Sequence, residues 1–251
     1  MIAHVSNLLA WVLGWLWWTV IPARKKEAIA NYTHCFPERD PSELRQGIGE
    51  LAVQYFDMLI GRRATIENWE IGRKGGLCIA GHFGAWDIAL TSLSTHVPVS
   101  IFVKTPSNPI AARLVMGMRG RFSNLELINA TASLKPALEA LDRGRLVLMV
   151  QDQRFNRGIP VDFFGKTCLT SPGFAMLAWK KRPPLIGFYQ WREGGKHYGR
   201  LEPLAWPISE VREDALQELT AQTQEFYERK IGLRPYAWLW LHRRWRMPNK
   251  N

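Results

Sequence analysis

Cysteine is scarce in this chain, and its few copies stand apart. Only Cys35, Cys78 and Cys168 occur in 251 residues, an odd number with no CxxC pair. That excludes a disulfide framework and a cysteine-built zinc site, and it fits a reducing compartment. Acidic residues are also short: 22 Asp and Glu against 33 Lys and Arg leave a formal net charge of +11. Such an excess calls for an anionic partner, whether nucleic acid, an anionic membrane or an acidic protein. No G-x-S-x-G is present, so a lipase-type serine nucleophile has no seat. There is no internal repeat, low-complexity tract or linker. One catalytic-size domain is expected.

Charge of either sign is missing altogether from residues 1–23, which end directly in Arg24, Lys25 and Lys26. About 20 helical residues span the ~30 Å of a bilayer core, so the run is long enough for a membrane helix. The basic residues follow the apolar run instead of preceding it, unlike a secretory signal. The positive-inside rule puts residue 24 onward in the cytoplasm. His4, Ser6, Asn7 and Gly14 weaken a full span, which leaves a helix lying in the interface as the alternative. The expectation is a membrane anchor over residues 1–22 and a catalytic domain over 23–251. Tryptophan, by contrast, is abundant. Its 12 copies cluster at the two ends of the chain, as suits a residue that prefers surfaces wet on one side and apolar on the other.

From residue 76 the pattern alternates. Strand-like runs are LCIAG (77–81), VSIFV (99–103), LELI (125–128), LVLMV (146–150) and PLIGFY (184–189). Helix-like runs are 85–95, 107–122, 131–142, 171–180 and 208–231. Short apolar strands separated by helices predict an α/β fold with a mostly parallel central sheet flanked by helices. Asp40, Pro41 and Glu43 read as a capping box opening a further helix.

One strand leads into a candidate site. LCIAGHFGAWD delivers His82 to the carboxyl end of a buried strand, where open α/β sheets bind ligands. Gly84 allows close backbone approach, and Asp87 falls in the first turn of the next helix. The spacing predicts a base, His82, whose other ring nitrogen is held by Asp87. A second His-x4-acid match, His197 with Glu202, follows Gly194 and Gly195 and reads as an exposed turn entering an edge strand. FFGKT (163–167) ends like a phosphate loop but has Pro160 where the first glycine belongs. GIGELA (47–52) lies inside a helix with no strand before it. No third ligand accompanies His82, so no metal is assigned.

Several blocks in order resemble the bacterial lipid A biosynthesis acyltransferases, the lauroyl and myristoyl transferases, within the lysophospholipid acyltransferase group with its His-x4-Asp/Glu signature. They are CFPE (35–38), GHFGAWD (81–87), VKTPSNP (103–109), VQDQ (150–153), VDFFGKTCLT (161–170) and PYAWLWLHRRWR (235–246). The resemblance implies a membrane-bound O-acyltransferase. It would move a fatty acyl group from acyl carrier protein or acyl-CoA to a hydroxyl of a glycolipid such as a lipid A precursor. It also implies the cytoplasmic face of the bacterial inner membrane and neither cofactor nor nucleic-acid partner. His82 and Asp87 are then the candidate catalytic pair. Gly84, Lys104, Asn108, Asp152, Arg154, Arg243 and Arg244 are the candidate substrate contacts. The family arginine of the Tyr-Arg-Pro segment is Lys104 here, a point charge instead of a fork. Backbone near Gly84, or Lys104, is the expected oxyanion donor. The C-terminal block, with seven Lys or Arg and no acid over residues 229–251, is expected to rest its Trp238, Trp240 and Trp245 at headgroup depth and its arginines on lipid phosphates. Acylation of a different glycolipid or polyene-type lipid, a thioesterase, and a non-enzymatic basic membrane-binding protein are the alternatives.

Overall fold

The apolar runs do what their length and composition predict. The computed structural model describes residues 2–103, 109–129, 133–207 and 209–247. The strands are β1 (Ala64–Glu67), β2 (Gly76–Ala80), β3 (Val99–Val103), β4 (Leu125–Asn129), β5 (Leu146–Val150), β6 (Ile159–Phe163), β7 (Lys166–Thr170), β8 (Leu185–Glu193) and β9 (Lys196–Pro203). Seven form one sheet in the order β1-β9-β8-β2-β5-β3-β4. Only the β8–β9 hairpin within it is antiparallel. All five residues of β2 are buried, as expected of a central parallel strand covered on both faces.

The helices are α1 (Ile2–Thr19), α2 (Lys25–Cys35), α3 (Leu44–Leu59), α4 (Trp86–Leu93), α5 (Pro109–Arg119), α6 (Lys135–Asp142), α7 (Gly173–Lys181) and α8 (Arg212–Leu233). The capping box before α3 is only half made. Asp40 accepts from the Ser42 amide at 2.8 Å, but Glu43 turns away to Tyr32 and Arg39. The first turn is a 3-10 turn, Pro41–Glu43.

Two rejected motifs are explained by packing. Phe164 and Gly165 are the two turn residues of the β6–β7 hairpin, both at positive φ, as a two-residue hairpin turn requires. In GIGELA, a Cβ on Gly49 would lie 2.0 Å from the Ala10 carbonyl oxygen, and one on Gly14 would lie 2.0 Å from that of Arg45. These glycines let α1 and α3 touch backbone to backbone.

The N-terminal segment differs from a free anchor. One side of α1 buries Ser6, Ala10, Gly14 and Trp17, while Ile2, Val5, Leu8, Trp11 and Trp15 are exposed. Among the described residues, no helix is long and apolar enough to cross a membrane. The sequence also missed β1, which lies beyond β9 and pairs with it in parallel. β9 is therefore an interior strand. His197 is buried there, its Nε2 2.6 Å from Asp57 Oδ2, and not in an exposed turn with Glu202. Glu202 instead accepts from Arg229 and Lys230.

Candidate active site

Register builds the centre of the site. β2 and β5 are parallel neighbours with Ala80 opposite Val150. Two residues beyond each strand end stand His82 and Asp152. The His82 backbone N–H donates to Asp152 Oδ2 at 2.6 Å, and its ring Nδ1 lies 2.9 Å from Asp152 Oδ1. The Trp238 indole N–H donates to Oδ2 as well, at 2.9 Å. Burial alone would push this carboxyl up. The positive charge that the His82 ring can carry and these hydrogen bonds overcome it and hold the pKa at about 2. An ionised Asp152 accepts a hydrogen bond from Nδ1–H and leaves Nε2 as the basic nitrogen. The Gln153 amide nitrogen is 3.1 Å from both Nδ1 and Nε2, which seats it against the ring face and leaves the in-plane side of Nε2 for an incoming hydroxyl. The histidine side chain keeps 23% of its surface exposed while that of Asp152 keeps 1%, so the base is reachable and its partner is not.

The carboxylate expected on the ring is elsewhere. Asp87 accepts from Arg119 Nε at 2.8 Å and from the Tyr55 hydroxyl at 2.9 Å, and its backbone N–H donates to Gln54. The first turn of α4 aims the Asp87 side chain at α3 and α5, away from the end of β5. Arg119 lines the same cavity as His82, so Asp87 helps shape the site through a cation.

The C-terminal block is a strap over this centre. Phe83 and Trp238 form an antiparallel bridge. The Leu239 N–H donates to the His82 carbonyl at 3.1 Å, and the Gly84 N–H donates to the Ala237 carbonyl at 2.7 Å. The Gly84 amide is thus spent on the strap and is not an oxyanion donor. Asn31 on α2 holds the strap through the Trp240 and His242 carbonyls. His242 lies with its ring centroid 6.2 Å from that of His82. Burial first, and then the neighbouring His82, lowers its pKa to about 4 and keeps it neutral.

Other expected contacts fall differently. Trp238, Trp240 and Trp245 are core residues, not headgroup anchors. Arg244 is only 1% exposed and donates to Thr170, Gln224 and the Leu169 carbonyl, so it braces the β6–β7 hairpin and faces no lipid. Arg243 is half exposed and 3.4 Å from Glu27. Arg154 borders a shallow depression with Phe155, Asn156 and Arg157 beside the main cavity. Lys104 and Asn108 lie outside the described residues.

Behind His82 is a cavity of about 590 Å³, within the size range of small-molecule sites. Leu90, Ile101, Phe102, Leu148, Met149 and Phe188 supply apolar wall, and Arg119, Gln151 and Gln153 are among its polar groups. Among the described residues, no group of three or more His, Cys, Asp or Glu is placed to hold a metal ion. The arrangement is a protein-held base at the mouth of a largely apolar chamber.

The sequence profile of the bacterial lipid A biosynthesis acyltransferases matches residues 63–247. The chain belongs to that family. Its enzymes are acyltransferases, so the substrates of this acyltransferase are an acyl donor and a lipid acceptor. Among solved structures it is similar to the 1-acyl-sn-glycerophosphate (LPA) acyltransferase PlsC from Thermotoga maritima. The identity is 16%, with 90% of this chain and 98% of that one covered at a TM-score of 0.39. A search of curated proteins returned no match.

The residues that sequence reading missed in this acyltransferase are Gln153, Trp238, Tyr55 and Arg119. No local motif marks Tyr55 and Arg119, while Gln153 and Trp238 stand inside the VQDQ and PYAWLWLHRRWR blocks without these roles being legible there. The one usable signal for the dyad is that two parallel strand ends, each two residues past its last paired residue, carry a histidine and an aspartate.

Proposed function

We propose that this family member moves a fatty acyl group from an acyl carrier thioester to a hydroxyl of a glycolipid such as a lipid A precursor, at the cytoplasmic face of a bacterial inner membrane. The observation that carries the reading is the His82–Asp152 dyad at the mouth of the apolar cavity. The acyl chain lies in the cavity with its thioester carbonyl near Nε2. The acceptor hydroxyl gives its proton to Nε2 as its oxygen attacks the carbonyl carbon and forms the C–O bond of a tetrahedral intermediate. Collapse of the tetrahedral intermediate restores the carbonyl of the new ester and breaks the C–S bond. The same proton goes from His82 to the leaving thiolate. Asp152 stabilises the transient imidazolium. The exposed apolar face of α1 supports attachment in the plane of the bilayer surface. The net charge supports an acidic carrier protein and a phosphorylated acceptor.

Mass spectrometry of total lipids from cells with and without the protein tests this. One glycolipid should gain the mass of one acyl chain, and the gain should vanish with His82→Ala while the circular dichroism spectrum of that variant is unchanged. Release of free fatty acid with no lipid product would establish a thioesterase instead.

A further inference from the structure

A second cavity, about 430 Å³, lies between α1 and α3 and shares no lining residue with the catalytic one. Two of its walls are charged and almost fully buried. Glu50 is 5% exposed and Arg192 6%. Burial raises the Glu50 pKa to about 7. One Glu50 oxygen accepts from Gln46 at 3.0 Å, and the other has no hydrogen-bond partner among the described residues. Arg192 donates through Nη2 to Ser6 and Asn7, while its Nε is likewise unpartnered. The two do not form an ion pair with each other among the described residues. Arg45 stands at the same cavity, and its far wall is Trp11 and Trp15, both exposed on the outer face of α1.

A buried carboxyl with one free oxygen and a buried guanidinium with a free Nε are each costly unless a ligand completes them. Together they ask for a group carrying both signs. The exposed indoles beside them ask for an amphiphile. We propose that this cleft binds the phosphoethanolamine headgroup of a membrane glycerophospholipid, with its ammonium on Glu50, its phosphate on Arg192 and Arg45, and its glycerol and first chain carbons along Trp11 and Trp15. A primary ammonium has N–H donors for the free Glu50 oxygen, whereas a trimethylated ammonium has none and a glycerol headgroup has no cation. The site would seat α1 on a particular lipid. The inference rests on the reading that α1 meets a bilayer, but binding of monomeric lipid is measured independently of acyl transfer.

The experiment is calorimetric titration of the full chain with dihexanoyl phosphatidylethanolamine below its micelle concentration. Dihexanoyl phosphatidylglycerol, dihexanoyl phosphatidylcholine and free glycerophosphoethanolamine run as parallel arms. The ethanolamine lipid should bind at least tenfold tighter than the other three. Glu50→Gln, which keeps shape and the Gln46 contact, should abolish that preference, and Trp11→Ala should weaken the lipid without affecting the free headgroup. His82→Ala should bind as the wild type does. Equal binding of the three lipids, or an unaltered Glu50→Gln, overturns the proposal. Equally tight binding of glycerophosphoethanolamine assigns the cleft to a free solute, and loss of binding in His82→Ala moves the lipid to the catalytic cavity; each overturns it too.

Discussion

Replacing Asp152 with Asn separates charge from shape at the active site. Oδ2 of Asp152 accepts two N–H donors, from the His82 backbone and the Trp238 indole. An amide cannot put its NH2 there without facing both donors, so its oxygen takes that place and its NH2 takes the Oδ1 place opposite His82 Nδ1. Nδ1 must then become the acceptor, the ring proton moves to Nε2, and the base is lost. Misplacing the tautomer in this way costs roughly 10⁴-fold in kcat for comparable His–Asp pairs. The KM values should change little, because the Asp152 side chain is buried behind the ring. Stability should respond to pH in a definite direction. The carboxyl is held at about 2, below the ordinary 3.8, which corresponds to about 2 kcal/mol. That stabilisation is present above pH 4 and is lost as pH falls toward 2, so the wild type should exceed Asp152→Asn at pH 7 and converge on it near pH 2. Steady-state transfer followed by product mass spectrometry, with chemical denaturation at several pH values, provides the assay. A variant within tenfold of wild-type kcat would refute the dyad. Asp87→Asn is the contrast: its carboxylate serves Arg119 and Tyr55, so it should lose less kcat than Asp152→Asn and unfold more easily.

Four further outcomes follow, three from buried groups and one from an exposed pair. His197→Ala removes a ring wedged against Asp57 and should cost about 2–4 kcal/mol in urea unfolding, with kcat per folded molecule unchanged. Arg244→Gln should destabilise by about 3 kcal/mol or more, since it strips donors from buried acceptors. Arg243→Gln, on the exposed pair with Glu27, should stay within about 0.5 kcal/mol by the same measurement. Glu50, buried and raised from 4.5 to about 7, favours folding while protonated, and that advantage is lost as pH rises through 7. Glu50→Gln should therefore match the wild type near pH 4 and melt higher at pH 9, by up to about 3 kcal/mol; equal melting at pH 9 would refute it.

Much of this molecule was legible in the chain itself. The five apolar runs became β2, β3, β4, β5 and β8, and the five helix-like runs between and after them became α4, α5, α6, α7 and α8. Both periodicities are local, so a window of a few residues carries them. The arrival of His82 at a strand end was equally local. What faces His82 was not. Asp152 is its neighbour only because β2 and β5 pair in one register, a contact across 70 residues, while the nearby Asp87 is turned by α4 toward Tyr55 and Arg119. Burial was likewise decided in three dimensions. The C-terminal tryptophans and Arg244 have the composition of a membrane-facing surface, yet the strap they form lies between α2 and the β6–β7 hairpin, where each indole N–H and most of the guanidinium find acceptors. Composition records what a side chain can satisfy, and only the fold decides whether water, lipid or another part of the chain satisfies it.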